Sequence, residues 1–454
     1  MSNKPKHHHR GQFTSSLGFI LAAAGSAIGL GNLWKFPYIA GNSGGGYFLL
    51  FYIAFVLVLG IPITLAEMSL GRSTELSAVG AYRKINKNWT FVGGIGVLCA
   101  FVILSYYSVV GGWVLKYIAA YLTGGQFGGD YGAYFDSFVA SPVEPVVWHL
   151  VFMAFCALVV VGGVAKGIEK ASKIMLPALF VLIVVVAVRA CTLPGAAEGL
   201  KFFFVPNAEP INTPSKFINV IVLAMGQVFF SLSLGMGITI TYGSYLKKND
   251  NMVKSTMLIT GLDSLIAVLA GMAIIPAVFA LSSRENLTAG PGLIFKTLPA
   301  VFDSMPLGGV FGLLFFILVF FAAATSAIAL LEVVSAFLID TLHWKRRTAT
   351  VSMAAAMALI GVFASLSMGA LSGFTIGGMN LFDAMGFLTD KILMPVSALL
   401  TCIFVGYVWG VDKAAEEVEQ CGVAFRLRRA FAFCVRYLAP VLILVILVMG
   451  LVNQ

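Results

Sequence analysis

Gly25-Ser-Ala-Ile-Gly-Leu-Gly-Asn32 lies in the middle of a strongly apolar segment, about residues 13–38, and decides how the rest of the chain is read. Gly25, Gly29 and Gly31 lower helix propensity where lipid would demand unbroken backbone hydrogen bonding. Asn32 and Lys35 add polar chemistry near membrane depth, where it is costly unless it serves a cavity. About half a chain later, Ser231-Leu-Ser-Leu-Gly-Met-Gly237 interrupts a second apolar segment. Two glycine-interrupted segments in corresponding places of two halves point to the binding site of a secondary transporter. Unwinding a helix there frees carbonyls on one half and amides on the other. Carbonyls suit a cation, and the positive end of the second half-helix suits an anion. The break by itself therefore predicts a solute carrying a carboxylate, held beside a sodium ion.

The composition agrees with a membrane setting. Of 454 residues, 59% are hydrophobic and 11% charged, and mean hydropathy is +0.95, which marks an integral membrane protein. Eleven apolar segments are expected, at about 13–38, 44–71, 91–122, 145–163, 172–192, 217–245, 255–281, 306–341, 350–367, 379–410 and 430–452. Lys4, Lys6, Arg10, Arg72, Arg83, Lys84, Lys87, Lys166, Lys170 and Lys173 fall in loops on one side. Lys247, Lys248, Lys254, Lys345, Arg346, Arg347, Lys413, Arg426, Arg428 and Arg429 continue that side, while the opposite loops carry few. The positive-inside rule then puts the N-terminus in the cytoplasm and the C-terminus outside. The net charge of +9 is loop charge of this kind rather than a nucleic-acid footprint. Six scattered cysteines without a CxxC pair indicate neither a metal site nor a disulfide framework. Met1–Arg10 is polar and leads into a long span, so no cleavable signal peptide is expected; His7-His8-His9 is assigned no function. The long loop at 282–305, with Pro291 and the apolar Gly292–Phe295, is expected to fold back as a lid.

Several multi-residue runs resemble the neurotransmitter:sodium symporter family, nearest to its bacterial amino-acid transporters of LeuT type. They are Gly25–Tyr38, Asn42-Ser-Gly-Gly-Gly46, Ser105-Tyr-Tyr107, Gln227–Gly235 and Ala322-Ala-Ala-Thr-Ser326. The resemblance spans nearly the whole chain. It implies an all-α polytopic fold with a 5+5 inverted repeat, helices 1 and 6 broken. By that division residues 1–11 are a cytoplasmic tail, 12–193 the first repeat, 194–410 the second, and 411–454 a cytoplasmic loop plus an eleventh helix. The implied activity is sodium-coupled symport of hydrophobic or aromatic L-amino acids by alternating access in a bacterial inner membrane.

The resemblance also implies roles for individual residues. One sodium ion would be held by Ala27, Asn32, Ser231 and Asp263, completed by the substrate carboxylate. A second would be held by Gly25, Ile28, Ala322, Thr325 and Ser326. Oxygen ligands without Cys or His suit an alkali cation, although Thr325 and Ser326 could instead bond back to their own helix. The substrate carboxylate would meet Tyr107 and the amides of Leu30 and Gly31. Its amine would meet Ala27, Phe230, Ser231 and Ser233. Ile103, Tyr107, Phe230, Met236, Ser326 and Leu330 would line an uncharged side-chain pocket. Gly29 occupies the position where related monoamine transporters carry Asp, which favours a substrate with its own carboxylate. Met236, a flexible thioether where the leucine-type relative has Phe, favours bulky side chains. Asp263 stands where chloride-dependent relatives have Asn, so a fixed charge replaces chloride; Glu67, Tyr52 and Gln227 are its implied neighbours. Outside, Lys35 would pair with Asp383, with Asp390 the second choice. Inside, Arg10 would pair with Asp340 beneath Ser244 and Tyr245. Gly167 and Pro177 form a G-x9-P pattern linked in this family to opening a water path for sodium release.

Three rival functions weigh less. A proton-coupled transporter of the same fold would not need Asn32, Thr325 and Ser326. An intramembrane hydrolase would need a Ser–His or metal constellation, yet His149 and His343 stand alone near segment ends. A channel lacks a repeated filter sequence here.

Overall fold

The structure, a computed structural model, describes residues 11–125, 127–206, 211–281, 287 and 292–452. The described residues are almost entirely helical, as lipid requires when every backbone group must be satisfied within the chain. In order, α1 (Ser16–Ala27) and α2 (Gly31–Asn42) form one bent span, with 53° between the halves. They are followed by α3 (Gly46–Thr74), α4 (Lys87–Leu122), α5 (Glu144–Val161) and α6 (Val164–Cys191). α7 (Pro214–Ser231) and α8 (Ile238–Gly243) flank the second break. α9 (Met252–Leu281), α10 (Gly308–Leu342), α11 (Arg346–Leu366), α12 (Leu381–Glu419) and α13 (Arg428–Val452) complete the chain. Ten of these helices are long and apolar enough to cross a membrane, eleven with the bent α1–α2 pair counted as one span. That matches the span number read from hydropathy and loop charge.

α4, α5, α10 and α11 pack on one another as a scaffold, and α1 lies against α9 and α10. Small residues let these backbones approach. A Cβ at Gly112 would come within 2.5 Å of the His149 amide on α5, and one at Gly361 within 2.5 Å of the Ser105 carbonyl on α4. Of the seven π turns among the described residues, Val164–Glu169 and Phe404–Gly410 have no proline just after them; the other five are Gly31–Lys35, Val56–Gly60, Leu293–Thr297, Leu388–Leu393 and Cys434–Leu438. Each of these five ends just before a proline: Pro37, Pro62, Pro299, Pro395 and Pro440. Proline lacks the N–H and crowds the carbonyl four residues back, and a wider turn relieves both. Pro37 favours the π turn that opens α2 in this way.

Where it is described, the loop after α9 folds back against the helices, as expected; this packing fixes its position, not a role as a lid. Leu293–Thr297 and Leu298–Asp303 are helical, Phe295 is buried, and its carbonyl accepts from Tyr117 Oη at 2.7 Å. The Phe295 ring stacks on Phe135 at 5.2 Å. Phe135 belongs to a short helix, Tyr131–Ala140, that hydropathy did not reveal; Asp130 caps it by accepting from the Ala133 amide. The early part of that loop, 282–286 and 288–291, lies outside the described residues.

Candidate functional site

The first break is satisfied by its own residues and by groups from four other places in the chain. α1 is capped by Ile28, whose amide still reaches the Ala24 carbonyl at 2.8 Å. Asn32 then folds its side chain back, Oδ1 accepting from the Gly29 amide at 3.1 Å. The Leu30 amide donates to Tyr107 Oη at 3.2 Å, and the Gly31 carbonyl accepts from Gln227 Nε2 at 3.1 Å. The Ser26 carbonyl accepts from both Ser233 Oγ and Ser326 Oγ, and the Ile28 carbonyl accepts from Ser326 Oγ, all at 3.2 Å. Freed backbone groups thus converge on one place with hydroxyls around them.

The second break runs through Leu232–Gly237 with Ser233 (φ 54°), Gly235 (φ 77°) and Gly237 (φ 73°) in left-handed backbone. Glycine takes that conformation without a steric cost; Ser233 does not, and its strain is held by the hydroxyl bond to Ser26. The buried Glu67 of α3 accepts from the Gly235 amide at 3.0 Å and from the Thr239 hydroxyl. This corrects the expectation that Glu67 sits beside Asp263: its carboxylate caps the second break instead. Gln227 likewise serves the Gly31 carbonyl. Of the three implied neighbours only Tyr52 reaches Asp263, donating to Oδ2 at 3.3 Å.

Asp263 of α9 is wholly buried. It accepts from Asn32 Nδ2 at 2.8 Å and Ser231 Oγ at 2.7 Å, which joins α2, α7 and α9 at one carboxylate. Three of the four residues proposed for the first sodium ion therefore touch one another, and Ala27 closes α1 just beside them. Around the second set, a Cβ at Gly25 would lie 3.2 Å from Thr325 Cβ, so α1 and α10 meet there. Ser326 bridges to the break. Thr325 does not: its hydroxyl donates to Phe321 at 2.9 Å and Ala322 at 3.1 Å on its own helix, the alternative the sequence left open.

A small pocket adjoins both breaks. Ala27, Gly29, Leu30 and Gly31 line it from the first break; Phe230, Ser233 and Met236 line it from the second. Asn32 of α2, Ile103 and Tyr107 of α4, and Ser326 and Leu330 of α10 also line it. Ser231 is not in the lining, because Asp263 and Asn32 engage it. Ser26 and Ile238 are lining residues that the sequence did not single out. A Cβ at Gly29 would fall 2.8 Å from Ser326 Oγ and 3.2 Å from Tyr107 Oη, so this glycine leaves open the space in front of the phenol.

Charged pairs lie on both sides of the cavity. Beyond the break, Lys35 Nζ meets Asp390 Oδ2 at 3.0 Å and sits 4.1 Å above the Phe230 ring. Asp383 is not the partner; it lies in the first turn of Leu381–Phe387 and is held by Asn380 at 2.8 Å. The helical register explains the difference, since Asp390 is two turns further along α12, level with Lys35. Toward the N-terminal side, Arg10 lies outside the described residues, and Asp340 accepts from the Ser77 amide at 2.7 Å. Tyr245 Oη donates to Glu332 at 2.5 Å, and Arg346 forks onto the same carboxylate at 2.6 and 2.9 Å. Glu332 went unremarked in the sequence, although a carboxylate inside the apolar run 306–341 is itself the signal. Gly167 lies in a π turn, Val164–Glu169, continuous with the helix Lys170–Cys191 that contains Pro177, so the G-x9-P segment is helical here.

Comparison with known proteins agrees with this architecture. The model of the "Sodium:neurotransmitter symporter family" matches residues 10–126 and 140–454. The chain is 39% identical over 443 residues to an uncharacterized sodium-dependent transporter, YhdH, of Bacillus subtilis (strain 168), covering 96% of each. It is 34% identical over 458 residues to an uncharacterized sodium-dependent transporter of Haemophilus influenzae, covering 97% of this chain and 98% of that one. The crystal structure of MhsT in complex with L-phenylalanine matches with a TM-score of 0.88 at 40% identity, over 97% of this chain and 100% of the other. The chain accordingly belongs to the sodium:neurotransmitter symporter family and is a sodium-dependent membrane transporter with the LeuT fold.

Proposed function

We propose that this transporter is a symporter of hydrophobic and aromatic L-amino acids, driven by sodium at two sites and independent of chloride. The observation that carries the reading is the Asp263 carboxylate, bonded to Asn32 and Ser231 beside the cavity that Tyr107 lines. A fixed anion there attracts a cation and removes the need for an added one. Tyr107 Oη and the amides of Leu30 and Gly31 are the donors offered to a substrate carboxylate, and the absence of charged side chains from the cavity wall favours an apolar side chain. The relative crystallised with L-phenylalanine supports the same substrate class. In this reading Ala27, Asn32, Ser231 and Asp263 hold one ion. Gly25, Ile28, Ala322, Thr325 and Ser326 hold the second, Thr325 exchanging its helix bonds for the ion.

The two inverted repeats run over 12–193 and 194–410. With the N-terminus in the cytoplasm of a bacterial cell, Lys35–Asp390 latches the outer side, while Tyr245, Asp340 and Arg10 close the inner side. Unwinding between Gly167 and Pro177 then opens the path for sodium release. The test is uptake of labelled phenylalanine, tryptophan and leucine into proteoliposomes under separately imposed sodium and proton gradients. Uptake that follows sodium alone, unchanged when gluconate replaces chloride, is the expected result. Uptake driven by protons alone, or abolished without chloride, overturns the reading.

A further inference from the structure

A second pocket, with Lys35 and Asp390 in its wall, lies between α2, α7, α12 and α13. Phe230 lines both cavities, so its ring is the partition between them. The wall of the larger one is mostly apolar, and three of its side chains carry charge: Lys35, Asp390 and Lys391. Lys35 and Asp390 neutralise each other at 3.0 Å. Lys391 makes no ion pair or hydrogen bond with any described residue. Its stem lies against Gly450 of α13, where an added Cβ would be 3.3 Å from Lys391 Cδ, so the last helix leaves room for the side chain. The three charged side chains thus leave the pocket wall with one net positive charge, and the exposed Lys391 presents it to an approaching anion.

We propose that Lys391 is a specificity-determining residue at the entrance. It draws in solutes by their carboxylate and turns away amines that lack one, before Phe230 and the Lys35–Asp390 pair admit them. The inference rests on the amino-acid reading above. A zwitterion approaching Lys391 presents its carboxylate first, which is also the end that Tyr107 and the Leu30 and Gly31 amides accept. Entrance and pocket therefore ask for the same group.

Lys391→Gln, Lys391→Glu and Lys391→Arg are compared with wild type in proteoliposomes at fixed sodium. At low ionic strength, Lys391→Glu is expected to raise KM for phenylalanine about three- to tenfold with kcat unchanged, since it acts on encounter. Lys391→Gln is expected to lie between, Lys391→Arg to match wild type, and choline chloride to erase the differences by screening. Phenethylamine, which is phenylalanine without its carboxylate, should inhibit Lys391→Glu more strongly than wild type. Unchanged KM and unchanged phenethylamine inhibition in both Lys391→Gln and Lys391→Glu overturn the assignment. A fall in kcat that Lys391→Arg does not rescue assigns Lys391 to the transport cycle and overturns it as well. Wild-type protein that takes up no phenylalanine under a sodium gradient fails earlier, on the substrate reading itself.

Discussion

Asp263→Asn tests the core of the mechanism, because it removes one charge with little change of shape. In the wild type the carboxylate collects Asn32 Nδ2 at 2.8 Å, Ser231 Oγ at 2.7 Å and Tyr52 Oη at 3.3 Å. An asparagine can still accept from Asn32 and, with the Ser231 hydroxyl turned, donate to it. The lost quantity is the attraction between a carboxylate and a sodium ion, about 4 kcal/mol at ~4 Å for an effective dielectric constant near 20. Against this stands the cost of keeping a buried charge before sodium arrives, which the variant avoids. A net loss of about 2 kcal/mol or more raises the half-saturating sodium concentration at least about thirtyfold. The assay is sodium-dependent phenylalanine uptake in proteoliposomes, with thermal unfolding in detergent confirming that the variant is folded. Chloride is expected to restore part of the lost sodium affinity, since an added anion can replace the deleted charge. A folded variant whose sodium requirement stays within about threefold of wild type refutes the assignment of Asp263 as the charge that holds sodium.

Three further outcomes follow from other parts of the molecule. Gly29→Asp places a carboxylate where Ser326 Oγ and Tyr107 Oη converge; it should abolish phenylalanine binding, and retained binding by equilibrium dialysis counts against the carboxylate subsite. Met236→Phe should narrow the substrate range toward aliphatic side chains, read as weaker competition by tryptophan relative to leucine; an unchanged ratio rejects it. Arg72 is fully buried, with Nε 2.8 Å from Glu417 and a second bond to the Asp250 carbonyl at 2.9 Å. Arg72→Met strands Glu417 with only Lys248 at 3.1 Å and should cost about 3 kcal/mol, seen as a lower unfolding temperature. Adding Glu417→Met should recover most of that loss, and an unaltered single variant would show that the pair contributes nothing.

What the sequence determined by itself are the features that lipid enforces locally. A run of about twenty apolar residues must be helical, because no water is present to satisfy an open backbone, and eleven such runs with basic loops on one side set the spans. Gly25–Asn32 and Ser231–Gly237 announced the two breaks for the same reason. Asp263 and Asn32 stood out as polar groups at a depth where a polar group needs a partner. Which partner each one takes was decided only by the packed structure. Asp383 and Asp390 are both acidic and seven residues apart on one helix, and only the rotation and height of α12 against α2 gives Lys35 to Asp390. Glu67 is as buried as Asp263, yet the position of α3 delivers it to the Gly235 amide on the other break. Lys391 reads in sequence as one more charge near a helix end, and becomes distinctive only because its neighbour has already neutralised Lys35 and the last helix walls in the same cavity. Hydropathy acts along the chain and is legible there. Pairing acts across it, over separations of hundreds of residues, and belongs to the tertiary fold.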